Sequence, residues 1–344
     1  MWTAGGRLIL PLIIFSTFSK TDCFGVIAPA LIAGGSAIGY KLYDATRCKF
    51  VECCQDPWLR IDPLSLAILK HNITDQLYGQ PFAKDIVFKA VYSHLTDDSP
   101  RKPLVMSFHG GPGTGKKHLA EIIVRSIFKK GVQSTFYLRF VGNDNFPNHD
   151  SRSVRQYRSD LKKIVENKLK ECKRSLIVID EVDKIPAGVL DVLTPFFDYH
   201  TEVKEEDIDA RYSIFIFSSN TGSTQIMRVV YDAWREGKKR TDLAMKDFEK
   251  IINLGAFNEK GGFRGSDIIA KSMIDHHVPF LPLEKKHVRR CAQDHIRSKY
   301  LTTRNDEFID QAMEELEFFP PDTQVYSRTG CKKIEKKIDI LWNN

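Results

Sequence analysis

Two hydrophobic patterns alternate through the middle of the chain. Short, almost uninterrupted apolar runs are typical of strands that are buried on both faces of a sheet. Such runs occur at residues 104–108, 136–141, 175–179 and 212–217. Between them, apolar residues recur at helical spacing in residues 118–129, 154–172 and 186–200. Strands that alternate with amphipathic helices predict an α/β domain, with a parallel sheet that helices cover on both faces.

The regions on either side of this alternation are predicted to be helical. Residues 63–92 have helical spacing that a turn at Leu77–Gln80 interrupts. After about residue 222 we expect no further strand, because amphipathic helices dominate the pattern. One of these helices carries on a single face the residues Val288, Cys291, Ala292 and Ile296. The length of 344 residues is enough for an α/β domain followed by a smaller helical domain.

The first forty residues differ from the rest of the chain. One positive charge precedes the apolar run Leu8–Phe18, and small and polar residues follow it, which predicts a secretory signal peptide over residues 1–22. A second uncharged run, Phe24–Tyr40, is short for a membrane span and contains a proline and four glycines. We therefore expect residues 23–47 to be a membrane-associating segment and connector. Alternatively, both runs form one uncleaved anchor.

Composition narrows the class of protein. Hydrophobic residues make up 42% and charged residues 28% of the chain, so a folded core is expected. The net charge of +7 is spread along the sequence, whereas nucleic-acid binding usually needs a concentrated basic face. Of the seven cysteines, Cys23 is assigned to the signal region, and the other six form an even set that an oxidising lumen can pair. Asn72 heads the chain's one N-glycosylation triplet.

A glycine-rich loop follows the first predicted strand directly and precedes a helix. Its pattern is Gly-x-x-x-x-Gly-Lys. Glycines let backbone N–H groups converge on a phosphate, the start of the helix adds a positive potential, and the lysine supplies a mobile cation. An ordinary glycine-rich turn is the alternative, and the strand–loop–helix context argues against it. The predicted phosphate-binding residues are Gly110, Gly111, Pro112, Gly113, Thr114, Gly115 and Lys116.

Lys117 departs from this pattern. A serine or threonine hydroxyl usually ligates Mg²⁺ at this position, whereas a lysine has three donors and no acceptor. We include Lys117 in the nucleotide-binding set and expect it to affect magnesium placement and hydrolysis more than nucleotide binding.

Two further strand ends carry polar groups that suit the same site. The third predicted strand ends at Asp180 and Glu181, where Asp180 can hold Mg²⁺ and Glu181 can polarise an attacking water. The fourth is followed by Asn220, whose amide can bond the γ-phosphate or the water. Each alone would be an ordinary strand-end or turn residue. Together with the glycine-rich loop, they predict an ATP site with these three residues as its catalytic groups.

With these motifs the chain resembles the torsin family, a branch of the AAA+ ATPases that is related to Clp-type unfoldases. The likeness extends from Cys48 to the C-terminus. It implies a P-loop AAA+ domain over residues 48–275, a small helical domain over residues 276–344, and ATP with Mg²⁺ as cofactors. Torsins usually have asparagine where this chain has Lys117. Beyond the phosphate loop, the residues that carry the likeness are Glu52–Cys54, Leu77–Gln80, Ile179–Lys184, Ser219–Asn220, Val278–Glu284 and Gly330–Lys332.

The resemblance also implies roles for the C-terminal residues. Lys332 resembles the sensor-2 residue that reaches the phosphates from the helical domain. The family's disulfides imply the pairs Cys48–Cys172 and Cys291–Cys331. Because Cys331 precedes Lys332 in the sequence, we expect reduction of its bridge to alter nucleotide affinity. Alternatively, that bridge only stabilises the fold, by roughly 2–4 kcal/mol.

One residue that Clp-type relatives carry is missing. In the segment that aligns with residues 278–283, those relatives have an arginine that reaches the neighbouring subunit's γ-phosphate, and this chain has none. Torsins borrow an arginine from the lumenal domain of a transmembrane activator. The resemblance therefore implies slow hydrolysis by the isolated protein, and a place in the lumen of the endoplasmic reticulum and the perinuclear space, peripheral to the membrane. It leaves a homo-oligomer open.

Two functions are consistent with the sequence. The first is an activator-dependent ATPase that remodels protein or membrane assemblies. The second is an ATP-regulated binding module with little or no hydrolysis, which Lys117 favours. A nucleic-acid helicase is disfavoured by the signal sequence and the modest net charge.

Overall fold

The computed structural model describes residues 47–48, 50–55, 58–198, 208–258, 261–300 and 306–342. The predicted signal peptide and nearly all of the membrane-associating segment lie outside these residues. Residues Cys53–Asn344 form one compact unit, and the fold given below lies within it. Within the described ranges, no helix combines the length and the apolar character that crossing a membrane requires.

The order of elements alternates as the hydrophobic pattern predicts. The strands are β1 (Leu104–Gly110), β2 (Tyr137–Val141), β3 (Leu176–Asp180), β4 (Ile214–Ser219), β5 (His276–Phe280), β6 (Phe318–Phe319) and β7 (Tyr326–Ser327). The α-helices are α1 (Pro63–Gln76), α2 (Pro81–Thr96), α3 (Lys116–Ile127), α4 (Gly142–Asn145), α5 (Ser151–Glu171), α6 (Thr194–Phe197), α7 (Ser223–Arg235), α8 (Lys246–Asn258), α9 (Asp267–Ala270), α10 (Lys285–Tyr300), α11 (Asp306–Glu314) and α12 (Ile334–Trp342).

Five strands form a parallel sheet in the order β2-β3-β4-β1-β5. The strands β1 and β4 are buried at every position, which explains why their sequences are apolar without alternation. Alternate residues of each strand point to opposite faces, so Met106 packs with α1, α2 and α3, while Val105 packs with α5. The predicted α/β fold with a helix-covered parallel sheet is confirmed.

Strand β5 corrects the expectation that no strand follows residue 222. It pairs with β1 in parallel register, with Val278 beside Phe108 and Phe280 beside Gly110. Its two histidines and Pro279 interrupt the apolar sequence, so the strand does not appear as a continuous apolar run. Proline lacks an N–H donor but is tolerated in a strand at the edge of a sheet. The predicted boundary between residues 275 and 276 thus falls directly before a strand of the sheet.

The predicted helix over residues 186–200 is also wrong for the part that the structure describes. A 3₁₀ helix at Leu190–Leu193 leads into the short helix α6. Gly188 has φ +82°, a left-handed conformation that ends regular helix, and Pro195 stands at the start of α6. The apolar residues at helical spacing are nevertheless buried, so the pattern identified core positions correctly but not a continuous helix.

The C-terminal residues form a small helical cluster. Helices α10, α11 and α12 pack around a core that includes Ala292, Ile309 and Ile338. Val288 and Ile296 are buried in the same cluster, so the predicted apolar face of α10 is confirmed. A disulfide between Cys291 in α10 and Cys331 ties this helix to the turn before α12. The cluster is therefore joined covalently to the segment that carries Lys332.

Candidate active site

The glycine-rich loop lies between the end of β1 and the start of α3, as the sequence predicts. Gly110 ends the strand with φ +155°, and a Cβ atom there would lie 2.4 Å from the backbone oxygen of Phe280. Gly115 precedes the first residue of α3 with φ +109°. The loop therefore places backbone N–H groups at the positive end of a twelve-residue helix. This is the geometry that an anionic phosphate requires.

Lys116 links the loop to the end of β4. Its Nζ donates hydrogen bonds to the backbone oxygens of Gly110 and Gly111, the latter at 3.0 Å, and to Oδ1 of Asn220 at 3.1 Å. Burial lowers the pKa of Lys116 to about 8, and the nearby carboxylates of Asp180 and Asp183 oppose that shift. The ammonium group is therefore available to bind phosphate at neutral pH and is costly to keep buried without an anionic partner.

Asn220 reaches Lys116 because Asp183 fixes the turn after β4. Oδ1 of Asp183 accepts hydrogen bonds from the backbone N–H of Asn220 at 3.0 Å and from Oγ of Ser219 at 3.2 Å. The predicted convergence of the loop lysine and Asn220 is thus observed. No sequence pattern predicted this role for Asp183, which lies three residues after the predicted metal ligand.

Asp180 and Glu181 stand at the end of β3, beside the same loop. Glu181 has φ +54° and ψ +46°, an uncommon backbone conformation for a residue with a side chain. Its backbone N–H donates to Oδ1 of Asp180 at 3.0 Å. Among the described residues, no group bonds the Glu181 carboxylate. The carboxylate is therefore available to orient a water molecule.

The groups around Asp180 do not fit a magnesium ion as they stand. Oδ2 of Asp180 accepts a hydrogen bond from Nη2 of Arg139 at 2.6 Å, so each oxygen of the carboxylate already accepts one hydrogen bond and the carboxylate is paired with a cation. Lys117 offers no oxygen, and its Nζ lies 3.6 Å from Oε1 of Glu121 on the same helix. The described ranges contain no group of three or more histidine, cysteine or acidic side chains placed to hold a metal.

The turn that contains Lys332 contacts the phosphate loop through main-chain atoms. The N–H of Cys331 donates to the oxygen of Gly113 at 3.1 Å. A Cβ atom at Gly113 would lie 2.0 Å from the oxygen of Thr329, and one at Gly330 would lie 2.2 Å from the oxygen of Gly113. The structure thus brings this turn to the loop, while the Lys332 side chain itself is exposed.

Gln80 holds the phosphate loop against the segment after β5, and Arg240 binds that segment to Gly79. The Nε2 of Gln80 donates to the oxygens of Thr114 at 2.9 Å and Leu281 at 2.8 Å, and its Oε1 accepts from the N–H of Leu281 at 2.7 Å. Arg240 donates to the oxygens of Gly79 and Pro282 and to the carboxylate of Glu284. Neither role was predicted. Gln80 belongs to the Leu77–Gln80 motif, whereas nothing in the sequence around Arg240 indicates its contacts.

A polar network lies behind the phosphate loop, inside the sheet. Oγ of Ser107 lies 2.7 Å from Nε2 of His109 and 2.8 Å from Nδ1 of His277. Burial, assisted by the charge of Lys116, lowers the pKa of His109 to about 3. Burial also lowers the pKa of His277 to about 4. Both rings are therefore neutral at physiological pH.

The disulfides agree with the sequence in one case and correct it in the other. Cys291 and Cys331 are bonded, as predicted. The predicted pair Cys48–Cys172 is wrong, because Cys172 bonds Cys54. Three cysteines lie within seven residues of the connector, and the resemblance implied Cys48 where the structure has Cys54. Asn72 lies in α1, where its Oδ1 accepts a hydrogen bond from Gln76, and its glycosylation stays a prediction.

Solved structures with a similar fold are AAA+ proteins. The Saccharomyces cerevisiae Hsp104–ADP complex matches 81% of this chain with a TM-score of 0.57 at 18% identity. A closed-state reconstruction of Hsp104 with ATPγS and FITC casein matches 88% with a TM-score of 0.51, also at 18% identity. The chain spans about half the length of these structures, 47% and 49%. At this identity the likeness establishes the fold alone.

Family models and related sequences also match this chain. The family model described as Torsin matches residues 48–179, and the one described as Torsin-1A, C-terminal domain, matches residues 283–341. A "Torsin-like protein" of Caenorhabditis elegans is 34% identical over 340 residues, which cover 96% of this chain and 94% of the relative. A "Torsin-like protein" of Drosophila melanogaster is 34% identical over 309 residues, 89% of each chain. With such identity along nearly its whole length, this chain belongs to the torsin family.

Proposed function

We propose that this protein is an ATPase of the endoplasmic-reticulum and perinuclear lumen that hydrolyses ATP very slowly until a second polypeptide completes its site. Membership of an AAA+ family supports ATP binding and ATPase activity in general, with Mg²⁺ as the cofactor of the class. The observation that carries the finer proposal is that the neighbouring strands β1, β4 and β3 end at the phosphate loop, before Asn220 and before Glu181, and that Lys116 is hydrogen-bonded to Asn220. We propose that the protein uses this hydrolysis to remodel a protein or membrane assembly.

Each of these side chains has a task that its position supports. Lys116 and the backbone of the loop bind the phosphates, since both supply donors at a helix start. The Glu181 carboxylate orients the attacking water. The amide of Asn220, held by Asp183, contacts the γ-phosphate or that water. The turn at Lys332 rests on the loop, so a change in the loop on nucleotide binding is passed to the helical cluster.

The missing arginine explains the need for a partner. Residues 278–283 contain no arginine, although the end of β5 lies directly beside the phosphate loop. An arginine finger contributes on the order of 10³–10⁵ in turnover in P-loop enzymes. We therefore propose that the partner is the lumenal domain of a transmembrane activator that supplies an arginine in trans. A homo-oligomer and a peripheral contact with the lumenal side of the membrane remain part of the proposal.

The direct test is ATP turnover with and without such a lumenal domain. We expect the isolated protein to hydrolyse ATP very slowly and the mixture to be faster by about 10³-fold or more. The matched control is the same lumenal domain with its arginine replaced by alanine, which should bind without accelerating turnover. Equal rates in the two mixtures would contradict the proposal.

A second candidate, an ATP-regulated binding module, is favoured by Lys117 and by the pairing of Asp180 with Arg139. Both features add positive charge where a hydrolytic site usually has metal ligands. Under this alternative, nucleotide sets the affinity for a membrane partner and turnover stays negligible even in the complex. The turnover measurement separates the two functions.

The Cys291–Cys331 disulfide predicts a redox effect on nucleotide binding. Because the N–H of Cys331 bonds the phosphate loop, breaking the bridge in a Cys291→Ser variant should change ATP affinity by about fivefold or more. Equilibrium binding of labelled ATP measures the change. Cys54→Ser, which breaks the bridge to Cys172, is the control and should alter stability without altering ATP affinity. Equal affinity in the wild type and Cys291→Ser would show that the bridge is only structural.

A further inference from the structure

The end of β3 is occupied by a cation that belongs to the chain itself. Arg139 lies on β2, whose residue Val141 is paired with Asp180. Residues two apart on a strand share a face, so the Arg139 side chain lies beside Asp180, and Nη2 is 2.6 Å from Oδ2. The two side chains are 29% and 15% exposed. This ion pair is therefore shielded from solvent much more than an ordinary surface pair.

The guanidinium group of Arg139 has an N–H donor that the pair with Asp180 does not use. Its Nε is buried and has no hydrogen-bond partner among the described residues. A buried donor without a partner is costly, so the guanidinium depends on Asp180 for its compensating charge. Arg139 and Asp180 can therefore neutralise each other without a direct contact between Arg139 and the phosphates.

The charge of Asp180 would otherwise work against nucleotide binding. A carboxylate beside a triphosphate repels it unless a cation lies between them, which is a task of the metal in phosphate-transfer sites. Here the Arg139 guanidinium is already paired with Asp180, and Lys117 replaces the hydroxyl that usually ligates the metal. Of the two positions whose side chains usually ligate Mg²⁺, one is therefore Lys117 and the other is Asp180, which is paired with Arg139.

We propose that Arg139 takes the place of the divalent cation at Asp180, so that this site binds the phosphates of ATP with little dependence on Mg²⁺. The inference rests on the proposed nucleotide site and specifies how that site is held neutral. Arg139 is a positioning residue, because it affects phosphate binding by compensating the charge of Asp180. The sequence reasoning did not identify it, since nothing in the order of residues shows which group on β2 faces the end of β3.

The test is equilibrium binding of labelled ATP to the full chain, once with excess Mg²⁺ and once with EDTA. For the wild type we expect the two dissociation constants to agree within about fivefold, because the arginine supplies the compensating charge in both conditions. A weakening in EDTA of more than about fivefold, roughly 1 kcal/mol, overturns the inference. This measurement needs no variant, so it does not depend on whether a mutant folds.

Variants then assign the effect to Arg139. Arg139→Gln should bind ATP about tenfold or more weakly in EDTA, and Mg²⁺ should restore much of the affinity, because Asp180 is left without its cation. Arg139→Lys keeps the charge and should retain binding in EDTA. The control is Arg125→Gln, which removes an arginine that pairs with Glu121 at 3.0 Å on the outer face of α3. It should leave the ratio of the two dissociation constants unchanged.

The outcomes distinguish this inference from the proposed function. A purely structural role for Arg139 would lower ATP affinity equally with Mg²⁺ and with EDTA, and would overturn the inference. Wild-type binding that is strong with Mg²⁺ and lost in EDTA would also overturn it but would leave the proposed ATPase intact. No ATP binding in either condition would overturn both.

Discussion

Glu181→Gln is expected to lower activator-stimulated ATP turnover by about 10²–10⁴-fold while leaving ATP bound. The amide keeps the size of the side chain but cannot accept the proton of the attacking water. ATP therefore persists in the site, and the complex with the lumenal activator should be trapped in its ATP-bound form. Turnover is measured by phosphate release and trapping by co-purification of the two proteins with ATP.

The result separates the two candidate functions. If the protein is a binding module that hydrolyses little, Glu181→Gln changes neither turnover nor the stability of the complex. Glu166→Gln is a suitable control, because Glu166 pairs with Lys162 within α5 at 3.6 Å, and its loss should change turnover little. Unchanged trapping in Glu181→Gln, together with unchanged turnover, would reject the ATPase.

Gly330→Ala is expected to lower the free energy of unfolding by about 3 kcal/mol or more and to weaken ATP binding. Gly330 has φ +54°, and a Cβ atom there would lie 2.2 Å from the oxygen of Gly113, so the backbone of the turn must move away from the phosphate loop. That movement breaks the hydrogen bond between Cys331 and Gly113. Chemical denaturation measures the loss of stability, and equilibrium binding measures the loss of affinity.

Gly237→Ala provides the matched control. Gly237 also has a left-handed φ of +74°, but a Cβ atom there would meet nothing within 4 Å. Its substitution should therefore cost only the conformational strain, about 1–2 kcal/mol, and should not affect nucleotide binding. If both variants lost the same stability and both bound ATP normally, the close contact between the Lys332 turn and the phosphate loop would not contribute to ATP binding.

The parts of this protein that its sequence predicted are those built from local patterns. The apolar runs at β1, β3 and β4 are unbroken because both of their faces are buried. The phosphate loop was recognisable because glycine, lysine and helix start must follow each other directly in the chain. Parallel strands align their carboxyl ends, so the meeting of Lys116, Asp180 and Asn220 followed from strand order.

The features that the sequence did not show depend on contacts between distant residues. The sequence of β5 resembles a loop because an edge strand tolerates Pro279 and polar neighbours. Arg139 and Arg240 are two of many basic residues, and only the folded chain shows that one meets Asp180 and the other meets Glu284. The choice of Cys54 over Cys48 likewise depends on the position of the connector beside Cys172, which spacing does not determine.

The histidines behind the phosphate loop restrict the signals to which this site responds. Burial lowers the pKa values of His109 and His277 to about 3 and 4, so both rings are uncharged at neutral pH. Mild acidification below neutral pH would therefore leave the charge of these two rings unaltered. The two controls proposed above, reduction of the Cys291–Cys331 bridge and encounter with a second protein, therefore do not require a change in the protonation of these two rings.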